Sequence, residues 1–128
     1  IMAFGQASDM TAFGPNAHLT AILDLWGPYY IERVAAAMDG TYEQGNSWHG
    51  IREGEVGFAP FNERIPADVR AEAEAMIAAI KDGSYHPFTG PINRQDGSAW
   101  LAEGETAPDG DLLGMMFYVE GMTGDVPN

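Results

Sequence analysis

Apolar and polar positions fall in blocks along this chain. The first apolar run, Ile1-Met2-Ala3-Phe4, gives way to the turn Gly5-Gln6-Ala7-Ser8-Asp9-Met10, and a second, His18 to Trp26, carries Asp24 close to its end. Both runs have the length of short strands, and each closes on a polar or glycine-bearing turn with a carboxylate. Gly27-Pro28 then opens a helix, because proline's missing N–H costs little in a first turn, and Tyr30, Val34 and Met38 recur on one face before Asp39-Gly40 stops it. Thr41 to Glu55 reads as a polar connection holding Trp48 and His49, and Val56-Gly57-Phe58-Ala59-Pro60-Phe61 as a short buried strand closed by its proline.

The clearest helix runs from Pro66 to Asp82, with Val69, Ala73, Met76, Ile77 and Ile80 near the helical period and Gly83 as its C-terminal cap. From Pro91 to Glu103 the pattern changes to a hairpin turning at Asp96-Gly97, a pair that readily takes positive φ. A last helix is predicted from Gly110 or Asp111 to Glu120, carrying Leu112, Leu113, Met116 and Val119 and ending at Gly121. No repeat or low-complexity tract interrupts the chain.

Strands alternating with helices predict an α/β fold with a mainly parallel sheet flanked by helices, closed by a C-terminal hairpin and helix. In such sheets ligands bind beyond the carboxyl ends of the strands. Gln6, Ser8, Asp9, Asp24 and Trp26 are therefore the candidate ligand-binding residues. Each also has a structural alternative: Asp24 near a helix N-cap, Asp9 capping the segment after it, Trp26 as a core aromatic, Gln6 as a loop brace.

The length of 128 residues allows one domain and no second full lobe, and no stretch is long enough to cross a membrane. About three strands leave a sheet edge unpaired, so a self-associating or element-swapping fragment is one alternative role. The chain opens on Ile1 inside a strand-like run and is read as the C-terminal portion of a longer protein. Its net charge of -13 argues against nucleic acid as a partner, since phosphate binding needs a basic face. With no cysteine there is no thiolate ligand or nucleophile.

The three histidines, His18, His49 and His86, lack the i, i+4 spacing that sets two metal ligands on one helical face, and Asp109 with Asp111 forms no calcium loop. No metal or cofactor is expected. Asp9 with Asp24 or Glu32 is the only pairing that suggests an acid and base, and Ser8-Asp9 lacks a nucleophile-elbow pattern, so a purine-processing enzyme is a weaker alternative to a binding protein. Gly114-Met115-Met116 reads as packing.

Several segments in order, Phe4-Gly5-Gln6-Ala7-Ser8-Asp9-Met10, His18-Leu19-Thr20-Ala21-Ile22, Trp26-Gly27-Pro28-Tyr29-Tyr30, His86-Pro87-Phe88-Thr89-Gly90-Pro91-Ile92, Leu113-Gly114-Met115 and Tyr118-Val119-Glu120-Gly121, together resemble the C-terminal part of the basic membrane protein (BMP) family. These are substrate-binding proteins of ABC transporters, including purine nucleoside receptors of the PnrA type. The resemblance spans essentially the whole chain. It implies a lobe of a type I periplasmic-binding-protein (Venus flytrap) fold, with residues 1-128 the C-terminal portion of a two-lobed protein whose upstream lobe lies outside them. It further implies hinge closure on a small molecule, a membrane permease as partner, and a periplasmic or membrane-anchored (lipoprotein) location.

Nucleoside-binding members carry an aspartate and a lysine near the ribose where this chain has Ala7 and Asp24. A methyl cannot accept from ribose hydroxyls, and a carboxylate in place of a cation reverses the local polarity. A free purine base fits that change better, with its N–H donors meeting Asp24 and its flat face meeting Trp26. The expected ligand is a purine nucleobase, adenine first, with a purine nucleoside as the alternative.

Overall fold

The computed structural model describes residues 1-126, which divide into two compact units, Ile1–Ser84 and the residues from Tyr85 onward. Nothing in the apolar pattern marks a boundary there. In the first unit the elements are β1 (Ala3–Gly5), a single 3-10 turn (Thr11–Phe13), β2 (His18–Asp24), α1 (Trp26–Met38), β3 (Val56–Phe58) and α2 (Ala67–Asp82). The second holds β4 (Ile92–Asn93), β5 (Ala99–Leu101) and α3 (Asp109–Leu113).

β2 is the central strand of a three-stranded sheet ordered β1-β2-β3. It runs parallel to β1, with Phe4 opposite Thr20 and Gly5 opposite Ala21. It runs antiparallel to β3, with Asp24 opposite Val56 and Ile22 opposite Phe58. The mainly parallel sheet predicted above is thus a mixed one. The cause is the polar connection after α1, which re-enters at the carboxyl end of β2, where the Leu25 N–H donates to the Glu55 carbonyl (2.8 Å). A chain entering β3 from that end must run back along β2.

Beyond β3, Pro60 ends the regular ladder but the chain stays beside β2. The Ala59 N–H donates to Ala21 O (2.9 Å) and the Asn62 N–H to Leu19 O (2.7 Å), while the Asn62 side-chain amide donates to the carbonyls of Pro15 (3.0 Å) and His18 (2.8 Å). The buried Thr20 hydroxyl donates to Ala59 O at 2.7 Å. The core of the first unit is small and built on β2: Ala21 is 0 % exposed, and Ala59, His18 and Thr20 are buried beside it.

α2 ends as predicted, with Gly83 in the left-handed region (φ 82°) where a β-carbon is unfavourable, and starts one residue later than Pro66, which is its N-cap. α1 begins at Trp26, so Pro28 does lie in its first turn. Neither helix buries a residue completely, and the α1 stripe predicted from spacing is bare: Val34 is 58 % and Met38 82 % exposed.

In the second unit the Asp96-Gly97 turn forms as predicted. Gly97 has φ 84°, the Arg94 N–H donates to Ser98 O (2.8 Å), and the Asp96 carboxylate accepts from the Ser98 N–H and hydroxyl. The last helix is far shorter than predicted and stops at Leu113. Residues 118-120 are drawn onto the hairpin instead, where Gln95 donates to Tyr118 O (2.8 Å) and the Glu120 N–H to Asn93 O (3.0 Å). Those backbone groups cannot also close helical turns. Phe117 is held there edge-on to Trp100, centroids 4.9 Å apart, under the Arg94 guanidinium.

The close approach of β1 to β2 leaves no room at Gly5, where a β-carbon would lie 2.7 Å from Ala21 Cβ and 2.9 Å from His18 Nε2. Ala21 has no longer side chain to rotate away. Gly5→Ala is expected to cost about 1–3 kcal/mol, read as a lower urea midpoint at unchanged slope; unchanged stability would show that the strands separate freely.

Candidate functional site

At the carboxyl ends of the parallel pair, the turn after β1 is fastened to the end of β2. The Asp24 N–H donates to the Ala7 carbonyl at 3.1 Å, so Gln6, Ala7 and Ser8 are drawn to the strand end that carries Asp24 and leads into Trp26. Ala7 makes this bond from a backbone with φ 67°, the only positive φ of a non-glycine residue among those described. A β-carbon in that region costs about 1–2 kcal/mol. Such strain persists where surrounding contacts over-determine the backbone, and it concentrates at ligand sites.

Four of the five candidate residues share this end of the sheet. The side chains of Gln6 and Ser8 are exposed on the turn. Asp24 is exposed and makes no N-cap bond, because Leu25 is the α1 N-cap and no side chain caps the helix. Trp26 is not a core aromatic: it stands 49 % exposed in the first turn of α1, edge-on to Tyr29 (5.9 Å) and tilted against Tyr30 (6.1 Å). Arg33 lies 5.0 Å from the Tyr29 ring centroid and adds a cation behind the aromatic group. The result is an exposed wall with a carboxylate, an indole and the polar groups of the turn.

Asp9 is employed differently. Its Oδ1 accepts from the Thr11 N–H (2.9 Å) and hydroxyl (2.5 Å), closing the 3-10 turn, and these bonds hold its carboxyl below the usual aspartate range. The stabilisation is present above pH 3.8 and is lost as pH falls through the lowered value. Thr11 Oγ1 lies 3.1 Å from His18 Nδ1, and His18 Nε2 is buried with no hydrogen-bond partner, 3.9 Å from Asp9. Asp9, Thr11, His18 and Asn62 line an open cleft of about 310 Å³ on the flank of the sheet.

The connection between α1 and β3 adds a group that spacing did not reveal. Glu55, whose carbonyl accepts the Leu25 N–H, also takes a 2.6 Å hydrogen bond on its carboxylate from His49 Nδ1. That bond, with the carboxylates of Glu55, Glu53 and Glu32 nearby, raises the His49 pKa above its ordinary value. Glu53 fixes the same loop by accepting from the Gly50 N–H at 2.8 Å, which lowers its own pKa. A histidine and a glutamate six positions apart on an irregular loop follow no periodicity, so composition was their only signal. Among the described residues no three His, Asp or Glu side chains are placed to hold a metal ion.

No protein-family model matches the chain. It is 54% identical over 127 residues to a curated Brucella abortus (strain 2308) protein named purine-binding protein, an alignment covering 99% of this chain and 36% of that protein. The chain thus spans about a third of the length of the curated relative it matches. A crystal structure of a transcriptional activator of the comK gene from Bacillus halodurans superposes with a TM-score of 0.59 over 67% of this chain and 30% of that one, at 22% identity. This second likeness is one of fold alone.

Ala7→Gly should relieve the left-handed strain and raise stability by up to about 1 kcal/mol in chemical denaturation. A loss of stability would mean that the Ala7 methyl makes a packing contact outweighing its backbone conformation.

Proposed function

We propose that this chain forms one wall of a purine-binding crevice in a solute-binding protein of the BMP type, serving an ABC importer. The observation that carries the reading is the Ala7–Asp24 backbone bond, which sets an exposed carboxylate, an exposed indole and a strained polar turn at the carboxyl end of a parallel strand pair. The purine-binding name of the Brucella relative supports the ligand class, and the 54% identity supports a shared architecture. The protein would act outside the cytoplasm, periplasmic or membrane-anchored, deliver its ligand to a membrane permease and leave it chemically unchanged.

Adenine is the favoured ligand. Asp24 is free of the helix cap and can accept a hydrogen bond from the exocyclic amine or from a ring N–H of the base, while Trp26 offers a flat face. A hydrogen bond to a charged group is worth about 1.5–3 kcal/mol and stacking roughly 1–3 kcal/mol, enough with a second wall for micromolar affinity. Ala7 supplies no acceptor for a ribose diol, so the base is preferred over its nucleoside.

Calorimetric titration of the full protein should give micromolar adenine binding, weaker adenosine binding, and a loss of about tenfold or more in Asp24→Asn and in Trp26→Ala. Absence of heat with any purine would overturn the reading. Adenosine binding more tightly than adenine would keep the purine class and overturn the base preference.

A further inference from the structure

The turn that carries Gln6 and Ser8 is tied to both ends of one strand. β2 runs from His18 to Asp24. At its last residue the Asp24 N–H holds the Ala7 carbonyl, and at its first residue His18 reaches the far side of the turn through Thr11. The Thr11 hydroxyl lies 3.1 Å from His18 Nδ1 and 2.5 Å from Asp9 Oδ1, which also accepts the Thr11 N–H at 2.9 Å. Ser8 alone lies between the tied residues Ala7 and Asp9. Gln6 lies between Ala7 and Gly5, where a β-carbon would stand 2.9 Å from His18 Nε2 and 3.2 Å from the Ser8 carbonyl.

The tie through Thr11 has a fixed direction. An ionised carboxylate only accepts, so the single hydroxyl hydrogen of Thr11 goes to Asp9 and its oxygen takes the hydrogen of His18 Nδ1. That order holds neutral His18 in one tautomer. His18 is also firmly anchored: it is buried, its backbone N–H donates to Gly14 O (2.9 Å), and its carbonyl accepts from the Asn62 side chain (2.8 Å). The tie at Ala7, by contrast, is a backbone bond made at φ 67°, a conformation from which an alanine relaxes unless both flanks are held.

Resting on the purine reading above, we infer that Asp9, Thr11 and His18 form a relay that positions the ligand turn, keeping Ala7 in its strained conformation and Gln6 and Ser8 at the strand end beside Asp24. The three are positioning residues and do not touch ligand. Asp9 thus serves binding through Thr11, which already occupies its carboxylate.

The test compares Thr11→Val, which keeps the shape and removes the hydroxyl, with Thr11→Ser, which keeps the hydroxyl, both in the full protein. Adenine titration is paired with residue-resolved hydrogen exchange of the Asp24 amide, and the Ala59 amide, bonded to Ala21 on the opposite edge of β2, is the reference. Thr11→Val should raise the adenine Kd about fivefold to tenfold at undiminished stoichiometry and speed Asp24 exchange about tenfold relative to Ala59; Thr11→Ser should return both to within about twofold of the parent. Equal acceleration of both amides, or a Kd unchanged in Thr11→Val, would show a merely structural relay and overturn this inference while the purine reading stands. If Thr11→Val does not fold, the exposed Asp9→Ala takes its place with the same expectations, and Asp9→Asn, which keeps an acceptor oxygen, takes that of Thr11→Ser. A parent that binds no purine overturns the purine reading, and the amide comparison then decides the relay alone.

Discussion

The close packing of β1 on β2 at Gly5 and Ala21 is the constraint on which the first unit depends. With no side chain on one strand and a single methyl on the other, the strands approach closely enough for His18 to sit beneath the turn and for Ala7 to reach the Asp24 amide. The strain at Ala7 follows from that closeness, because the chain must reverse within a residue or two of Gly5 to return along the sheet. Strand pairing, turn conformation and the exposed end of β2 are thus parts of one steric solution. His18 Nε2, beside Gly5, is left without a hydrogen-bond partner, the Asp9 carboxylate standing 3.9 Å away.

Much of this fold is legible in the sequence, and the parts that are not share a cause. Local signals worked where they dominate: Gly83 ending α2, Asp96-Gly97 turning the hairpin, Pro28 in the first turn of α1. Non-local hydrogen bonds decided the rest. β3 runs antiparallel because Glu55 meets Leu25, which no spacing along the chain encodes. Residues 118-120 leave the helical pattern because the hairpin edge takes their backbone groups, although Leu112, Met116 and Val119 fit a helix.

The candidate site shows the same division. Asp24 and Trp26 could be singled out because a carboxylate and an indole at a strand end are visible in the residues themselves. Their freedom from capping and core packing was not visible, since that depends on Leu25 becoming the N-cap. Asp9 differs: Thr11 two residues later competes locally for its carboxylate, and that short-range bond wins. Ala7 carried no warning, because alanine has no preference for the left-handed region and only the bond to Asp24 holds it there.

The bare stripe on α1 gives the strong negative charge a physical task. Tyr30, Ile31, Val34 and Met38 present an apolar strip to solvent, the kind of surface through which molecules stick together. Mutual repulsion between chains of net charge -13 opposes that encounter while the carboxylates are ionised. Near the isoelectric point of about 4.2 the repulsion vanishes while the strip remains. Colloidal behaviour in mild acid is therefore governed by a helix face.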